Sequence, residues 1–233
     1  MDLLQRLWLE LEKERMICLA GSGGKTSLLH YLGRQCAIRG IPAALLTTTH
    51  IQPPQEALFP LVEEVPEAAR AWAAGRVPVV GSRRADGRLG PPAPQLIQAL
   101  HGQGALLLIE ADGSRQLPIK FPNATEPVLP PQTTRVIVVA GLSALGRPLQ
   151  EVCHRWELAC RELGLSPAQP VTPQVMAALL LAGYGRYRPT ILLNQTDTAQ
   201  PEDWETLMGR LHQGGIRTVA AASLRQEAKE CLF

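Results

Sequence analysis

Residues Gly21, Ser22, Gly23, Gly24, Lys25, Thr26 and Ser27 carry the clearest chemistry in the chain. They follow the apolar run Met16-Ile17-Cys18-Leu19-Ala20 and precede a helix-patterned stretch, 26–39, with Leu28, Leu29, Leu32 and Cys36 on one face. A glycine-rich turn between a strand and a helix aims backbone N–H groups into a concavity that suits phosphate oxygens. Lys25 is spaced to reach the β- and γ-phosphates as a point charge, and the Thr26 hydroxyl to sit on Mg2+. The ligand this predicts is a nucleoside triphosphate, ATP or GTP. The full P-loop pattern asks for a glycine six residues before the lysine, where this chain has Leu19, so the loop is two residues shorter. A glycine-rich turn that binds nothing is the competing reading.

Two carboxylates form the next candidate pair. The apolar run Ala105-Leu106-Leu107-Leu108-Ile109 ends in Glu110-Ala111-Asp112-Gly113-Ser114. Residues two apart on extended backbone face the same side. Glu110 or Asp112 can therefore hold Mg2+ beside Thr26, or orient an attacking water. Asp-Gly-Ser is also good turn chemistry by itself. Thr47-Thr48-Thr49-His50 ends a second apolar run, which makes Thr49 and His50 candidates for contact with phosphate or substrate. Asn194-Gln195-Thr196-Asp197 closes a third. GTPases place Asn-Lys-x-Asp there, its Asp accepting from guanine; here Gln195 replaces the lysine, and an ordinary turn with Asn and Asp explains the residues equally. Ala221-Ala222-Ser223 resembles the loop that backs guanine in those proteins. His154-Arg155, in a helical pattern over 151–163, can reach an anionic substrate.

These groups need a frame that brings strand ends together. Apolar runs at 16–20, 43–49, 105–109, 136–140 and 191–193, with a weaker one at 219–222, alternate with helical patterns at 26–39, 66–74, 94–101, 151–163, 173–181 and 201–213. Alternation of this kind predicts an α/β, P-loop NTPase-like, doubly wound and mostly parallel sheet flanked by helices. Ligands then sit beyond the carboxyl ends of the strands. Apolar residues at Leu3, Leu4, Leu7, Trp8 and Leu11 predict an opening amphipathic helix beside the first strand. Asp86-Gly87, flanked by 77–80 and 88–89, predicts a small hairpin. Pro53, Pro54 and Pro60 mark an irregular connection. The proline-rich stretch 118–131 breaks the alternation and excludes a central strand or helix there; a loop of that length in a compact domain is commonly functional.

The 233 residues fit a single α/β nucleotide-binding domain, 1–233. A net charge of +2 and few aromatics argue against nucleic acid as a partner. Five cysteines without a C-x-x-C pair predict reduced thiols and a cytoplasmic protein. Asp2, Glu10, Glu12 and Glu14 argue against a signal peptide, and the longest apolar run, 175–183, is about half of what spans a bilayer.

The glycine loop resembles the short Gly-Thr-Asn-Gly-Lys-Thr loop of Mur ligases. Over roughly 16–223 the chain resembles the YqeC-like family of accessory proteins for selenium-dependent molybdenum hydroxylases. Matching blocks are Gly21-Ser22-Gly23-Gly24-Lys25-Thr26, Thr47-Thr48-Thr49-His50, Glu110-Ala111-Asp112-Gly113-Ser114, Lys120 with Pro122, and Glu126-Pro127. Further blocks are Gly141-Leu142, Gly146-Arg147-Pro148-Leu149, His154-Arg155, and Leu193-Asn194 with Asp197. Gln195 and Thr125 depart from the pattern, which carries Lys and His there. The resemblance implies a role in maturing such a hydroxylase or its molybdenum cofactor, without supplying a reaction. It adds Lys120 and Glu126, in a proline-rich loop that closes over the site, as candidates for substrate contact beside His154 and Arg155. Two roles follow: an enzyme that couples nucleotide hydrolysis or transfer to cofactor modification, or a nucleotide-switched chaperone that delivers to an apo-hydroxylase. A scaffold with a degenerate P-loop is the third.

Overall fold

The fold grows from five apolar runs, each buried along nearly its whole length. The structure is a computed structural model describing residues 1–53 and 55–230. Pro54 and Cys231 therefore lie outside the described residues. In chain order the elements begin with α1 (Leu3–Arg6), β1 (Met16–Gly21), α2 (Lys25–Arg39), β2 (Ala43–Thr47), β3 (Leu61–Val62), α3 (Val65–Ala73) and β4 (Val79–Val80). They continue with β5 (Ser82–Arg83), β6 (Leu89–Gly90), α4 (Pro94–Gly102), β7 (Leu106–Glu110), β8 (Ile119–Lys120) and β9 (Arg135–Gly141). The remainder are α5 (Leu149–Val152), β10 (Cys153–His154), α6 (Trp156–Leu163), α7 (Pro173–Tyr184), β11 (Thr190–Asn194), α8 (Pro201–Gln213), β12 (Thr218–Ala222) and α9 (Leu224–Glu230).

Eight strands form one sheet in the order β12-β11-β9-β1-β7-β2-β4-β3, and every pairing in it is parallel. Strands buried on both faces need apolar residues at every position, which is why these segments read as unbroken runs. The two-residue period divides them between faces. Ile17, Leu19, Leu106 and Leu108 pack with Leu28, Leu29 and Leu32 of α2. Cys18, Leu107 and Ile109 turn the other way, onto Ala68 of α3 and Leu100 of α4. On the opposite wing Val138, Ala140, Ile191 and Leu193 meet α7 and α8 through Met176, Leu180, Leu207 and Leu211. The sheet is thus doubly wound. From β1 the chain runs outward through β2 to one edge, returns to β7, and then crosses to β9 on the other side of β1. That reversal gathers the loops after β1, β7 and β9 at one point, the place where open α/β sheets bind ligands.

Several local expectations change. The opening helix is one turn long, and Trp8, at φ 52 and 78% exposed, lies outside the packed stripe. Arg6 Nη1 donates to the Ala221 carbonyl at 2.8 Å, so α1 is tied to β12 rather than set beside β1. The hairpin forms from β5 and β6; Val79 and Val80 belong to the main sheet instead, where Val79 pairs with Leu45. The expected helix over 151–163 is broken into α5, β10 and α6: Cys153 turns extended, with φ -107 and ψ 117, and Arg155 then takes a left-handed φ of 64. The proline-rich segment supplies β8, which stays off the central sheet and pairs with β10, Ile119 facing Cys153 and Lys120 facing His154.

Candidate functional site

The glycine-rich turn is shaped by what presses on it. β1 ends at Gly21 (φ 88), and Gly23 and Gly24 follow at φ 79 and φ 137, conformations that side-chain-bearing residues rarely adopt. A Cβ on Gly21 would lie 2.2 Å from the Val139 carbonyl oxygen, and one on Gly23 2.4 Å from that of Pro118. Ser22 N–H donates to the Val139 carbonyl at 2.8 Å, and the Ser22 hydroxyl donates to the Leu117 carbonyl. The turn is therefore clamped between β9 and the segment leading into β8. Lys25, the first residue of α2, is 3% exposed and folds back so that Nζ donates to the Gly21 carbonyl at 2.7 Å. Thr26 and Ser27 are exposed at the start of the helix.

The two acids arrive from β7 on the side facing this turn, as their spacing predicts. The Thr26 hydroxyl donates to Glu110 Oε2 at 2.9 Å, and Glu110 Oε1 lies 3.9 Å from Lys25 Nζ. Asp112 is fully buried. Its Oδ2 accepts from Gly21 N–H at 3.0 Å, and its Oδ1 lies 3.1 Å from Lys25 Nζ. That approach supplies charge but not hydrogen-bond alignment, since Oδ1 has no hydrogen-bond donor among the described residues. Burial pushes the Glu110 carboxyl above its ordinary value, against the opposing pull of the Lys25 charge and the Thr26 hydroxyl. A hydroxyl and a carboxylate in contact at the helix start are the hard oxygen ligands that suit Mg2+, which commonly takes one or two protein oxygens and completes its shell with phosphates and water. Among the described residues no group of three or more His, Cys, Asp or Glu forms a metal cage.

The proline-rich segment joins this cluster through Lys120. Its Nζ lies 3.2 Å from Asp112 Oδ2, donates to the Gly113 carbonyl at 2.6 Å, and donates to Glu126 Oε2 at 2.5 Å. Arg155 Nη1 donates to the same Glu126 oxygen, also at 2.5 Å. The β8–β10 pairing explains the convergence, for it sets His154 opposite Lys120 and leaves Arg155 at the following bend. Burial tends to raise the Glu126 carboxyl, but the hydrogen bonds from Arg155 and Lys120 outweigh it and hold the group below its ordinary value. His154 is lowered, by burial first and then by the charges of Arg155, Lys120 and Arg115. Lys25, Asp112, Lys120, Glu126 and Arg155 thus form a chain of alternating charge running out from the P-loop.

Tyr184, at the end of α7, belongs to this neighbourhood and was not legible in the sequence. It is fully buried, and its hydroxyl has no hydrogen-bond partner among the described residues. Burial, followed by the charges of Asp112 and Glu126, raises it well above its ordinary value. No motif marks a tyrosine at a helix end; only the packing of α7 on the proline-rich segment reveals it, with Gly183 set so close that a Cβ there would lie 2.6 Å from Pro122.

The remaining candidates are divided between the rim and the support of the turn. Thr49 is half-buried, its N–H donating to Thr47 Oγ1 at 3.0 Å, while His50 is exposed. Thr48 N–H donates to the Glu110 carbonyl at 3.0 Å, which ties this loop to the acids. Asn194 is buried and spends its amide on the protein: Nδ2 donates to the Gly23 carbonyl at 2.8 Å, and Oδ1 accepts from Leu224 N–H at 2.9 Å. Asp197 is exposed on a single turn beyond it. Gln195 Oε1 accepts from the Ser143 hydroxyl at 2.7 Å. At the opposite end of the sheet a cavity of about 580 Å³, lined by Arg135, Arg188 and Arg217, contains none of the predicted site residues. No described helix is long and apolar enough to cross a membrane.

A parallel, doubly wound sheet whose first strand feeds a glycine turn and a lysine-led helix, with acids at the end of the adjoining strand, defines a P-loop NTPase-like α/β protein. The YqeC protein family matches residues 17–157, and the chain belongs to that family. The uncharacterised protein YqeC of Escherichia coli (strain K12) is 30% identical over 193 residues, covering 76% of this chain and 72% of that protein. The family match spans the glycine turn, both acids, Lys120, Glu126, His154 and Arg155, and stops before Tyr184, Asn194 and Asp197.

Proposed function

We propose that the protein binds a nucleoside triphosphate with Mg2+ at the Gly21–Ser27 turn and hydrolyses it. The observation that carries this reading is the meeting of Lys25 and Thr26 with Glu110 and Asp112 at the sheet's reversal point. Lys25 and the loop amides hold the phosphates; Thr26 with Glu110 or Asp112 holds the metal. Mg2+, when bound, neutralises phosphate charge. The acid not engaged with it orients the attacking water, and the burial of Lys25 and Asp112 keeps bulk solvent from the reacting centre. On the family resemblance, the hydrolysis serves the maturation of a selenium-dependent molybdenum hydroxylase or its cofactor. The buried, unpaired thiols Cys18, Cys36 and Cys153 support a cytoplasmic setting.

Calorimetric titration of ATP and of GTP, each with Mg2+, tests the assignment; no heat with either overturns it and favours a scaffold with a degenerate P-loop. The same titration decides the base. Asp197 stands exposed at the carboxyl end of β11. If guanine is the natural base, Asp197→Asn weakens GTP binding and leaves ATP unchanged. ATP binding far more tightly than GTP removes the guanine reading.

The alternating charge chain from Lys25 to Arg155 favours a second reading, a nucleotide-switched delivery module, because a change of partner at Lys25 is felt at the surface. Turnover with a small-molecule acceptor alone supports the enzyme. Complex formation with a hydroxylase that depends on nucleotide, without a small-molecule product, supports the switch.

A further inference from the structure

Beyond Asp112, on the side away from Lys25, the polar groups do not close on themselves. Lys120 and Arg155 both point at one oxygen of Glu126, and His154 and the exposed Arg115 lie within range of the same charges. Glu126 is the carboxylate that both cations share, Asp112 facing Lys120 alone, and its side chain retains 15% exposure, so it sits at the mouth rather than in the core. The Tyr184 hydroxyl, which feels the charges of Asp112 and Glu126, is buried and has no hydrogen-bond partner among the described residues. A buried hydroxyl left unpaired costs about 1–3 kcal/mol and is seldom tolerated without a reason. Arg155 is also held in a left-handed conformation, so the backbone carries strain to put its guanidinium here.

We propose that Lys120, Arg155, His154 and the Tyr184 hydroxyl form a second anion subsite, beside the P-loop and separated from it by Asp112, which takes a small oxyanion in the place held by the Glu126 carboxylate. Its role as the seat of an anionic acceptor rests on the nucleotide reading above; its binding of an anion does not. Lys120 Nζ and Arg155 Nη1 already show how the site grips an oxyanion, since both donate to one carboxylate oxygen at 2.5 Å. An incoming oxyanion displaces Glu126 outward and offers the Tyr184 hydroxyl the acceptor it lacks. Asp112 is shared by Lys25 and Lys120, so the two anion positions lie on either side of one carboxylate and are electrostatically linked.

The test uses the full chain and inorganic phosphate as the probe. In the Lys25→Ala variant, which removes the P-loop cation, phosphate is titrated while the Arg155 and His154 resonances are followed by nuclear magnetic resonance. The expected result is saturable shifts at both residues, weakened at least tenfold by adding Arg155→Ala and about threefold by Tyr184→Phe. Glu126→Gln, by contrast, should tighten phosphate binding at least threefold, a gain that a misfolded protein cannot show. An absence of phosphate-dependent shifts in the Lys25→Ala protein, or a Glu126→Gln protein that binds no more tightly than its parent, overturns the subsite. Should the wild type bind no Mg-triphosphate while Arg155-dependent phosphate binding persists, the nucleotide reading fails and the anion subsite stands.

Discussion

Lys25 Nζ donates to the Gly21 carbonyl and faces the charge of Asp112 and, further off, of Glu110. A triphosphate must replace these with oxygens of higher charge, and charge-assisted hydrogen bonds contribute about 1.5–3 kcal/mol each. Lys25→Ala should therefore weaken triphosphate binding at least tenfold by calorimetry, and equal affinity in the variant would sink the P-loop assignment. Glu110 supplies a pH test. Its carboxyl is raised by burial above its ordinary value, against the opposing pull of Lys25 and the Thr26 hydroxyl. Ionised Glu110 is the form that serves Mg2+. Affinity for Mg-nucleotide should thus rise with pH through the weakly acidic range, and Glu110→Gln should flatten that rise. A titration series showing the same slope in both proteins would remove Glu110 from the metal site. The identities of Lys25, Thr26, Glu110 and Asp112 were legible because each sits at a fixed offset from an apolar run. Tyr184 was not, because nothing local distinguishes it from a core aromatic.

At the scale of elements, the turn depends on neighbours far away in sequence. Asn194, at the end of β11, ties the Gly23 carbonyl to the first amide of α9. Asn194→Ala would orphan the buried Leu224 N–H, at a cost of about 1–3 kcal/mol. The expected outcome is a lower denaturation midpoint with an unchanged slope against denaturant, and weaker nucleotide binding as the turn loosens. An unchanged midpoint would mean that β11 does not support the P-loop. Asn194 was read from the sequence as part of a base-recognition motif; the fold gives it a clamping task on the loop itself. The helix expected over 151–163 fails for a comparable reason. Its apolar spacing is helical, yet the chain turns extended at Cys153 and takes a positive φ at Arg155, and β10 pairs with β8. Periodicity registers which residues are buried, and so short a break leaves that pattern intact.

For the whole molecule, the sheet's reversal next to β1 brings three connections to one place, and buried charge holds them there. Lys120 joins Asp112, from the β7 connection, to Glu126 in the proline-rich segment. Removing one partner from a buried ion pair costs about 3–5 kcal/mol, because the charge left behind is uncompensated. Lys120→Met is expected to destabilise the protein by that order in equilibrium unfolding, and a loss below about 1 kcal/mol would show that the cluster is solvated rather than buried.

The sequence by itself determined the doubly wound parallel frame and the glycine-rich turn after its first strand. Strands buried on both faces must be apolar at every position, and a turn at positive φ must be glycine, so both constraints are written locally. Only the tertiary structure decided that Lys120, Glu126, Arg155 and Tyr184 share a neighbourhood with Asp112. Their meeting depends on a two-residue strand pairing and a reversed dihedral, and neither leaves a period in the chain.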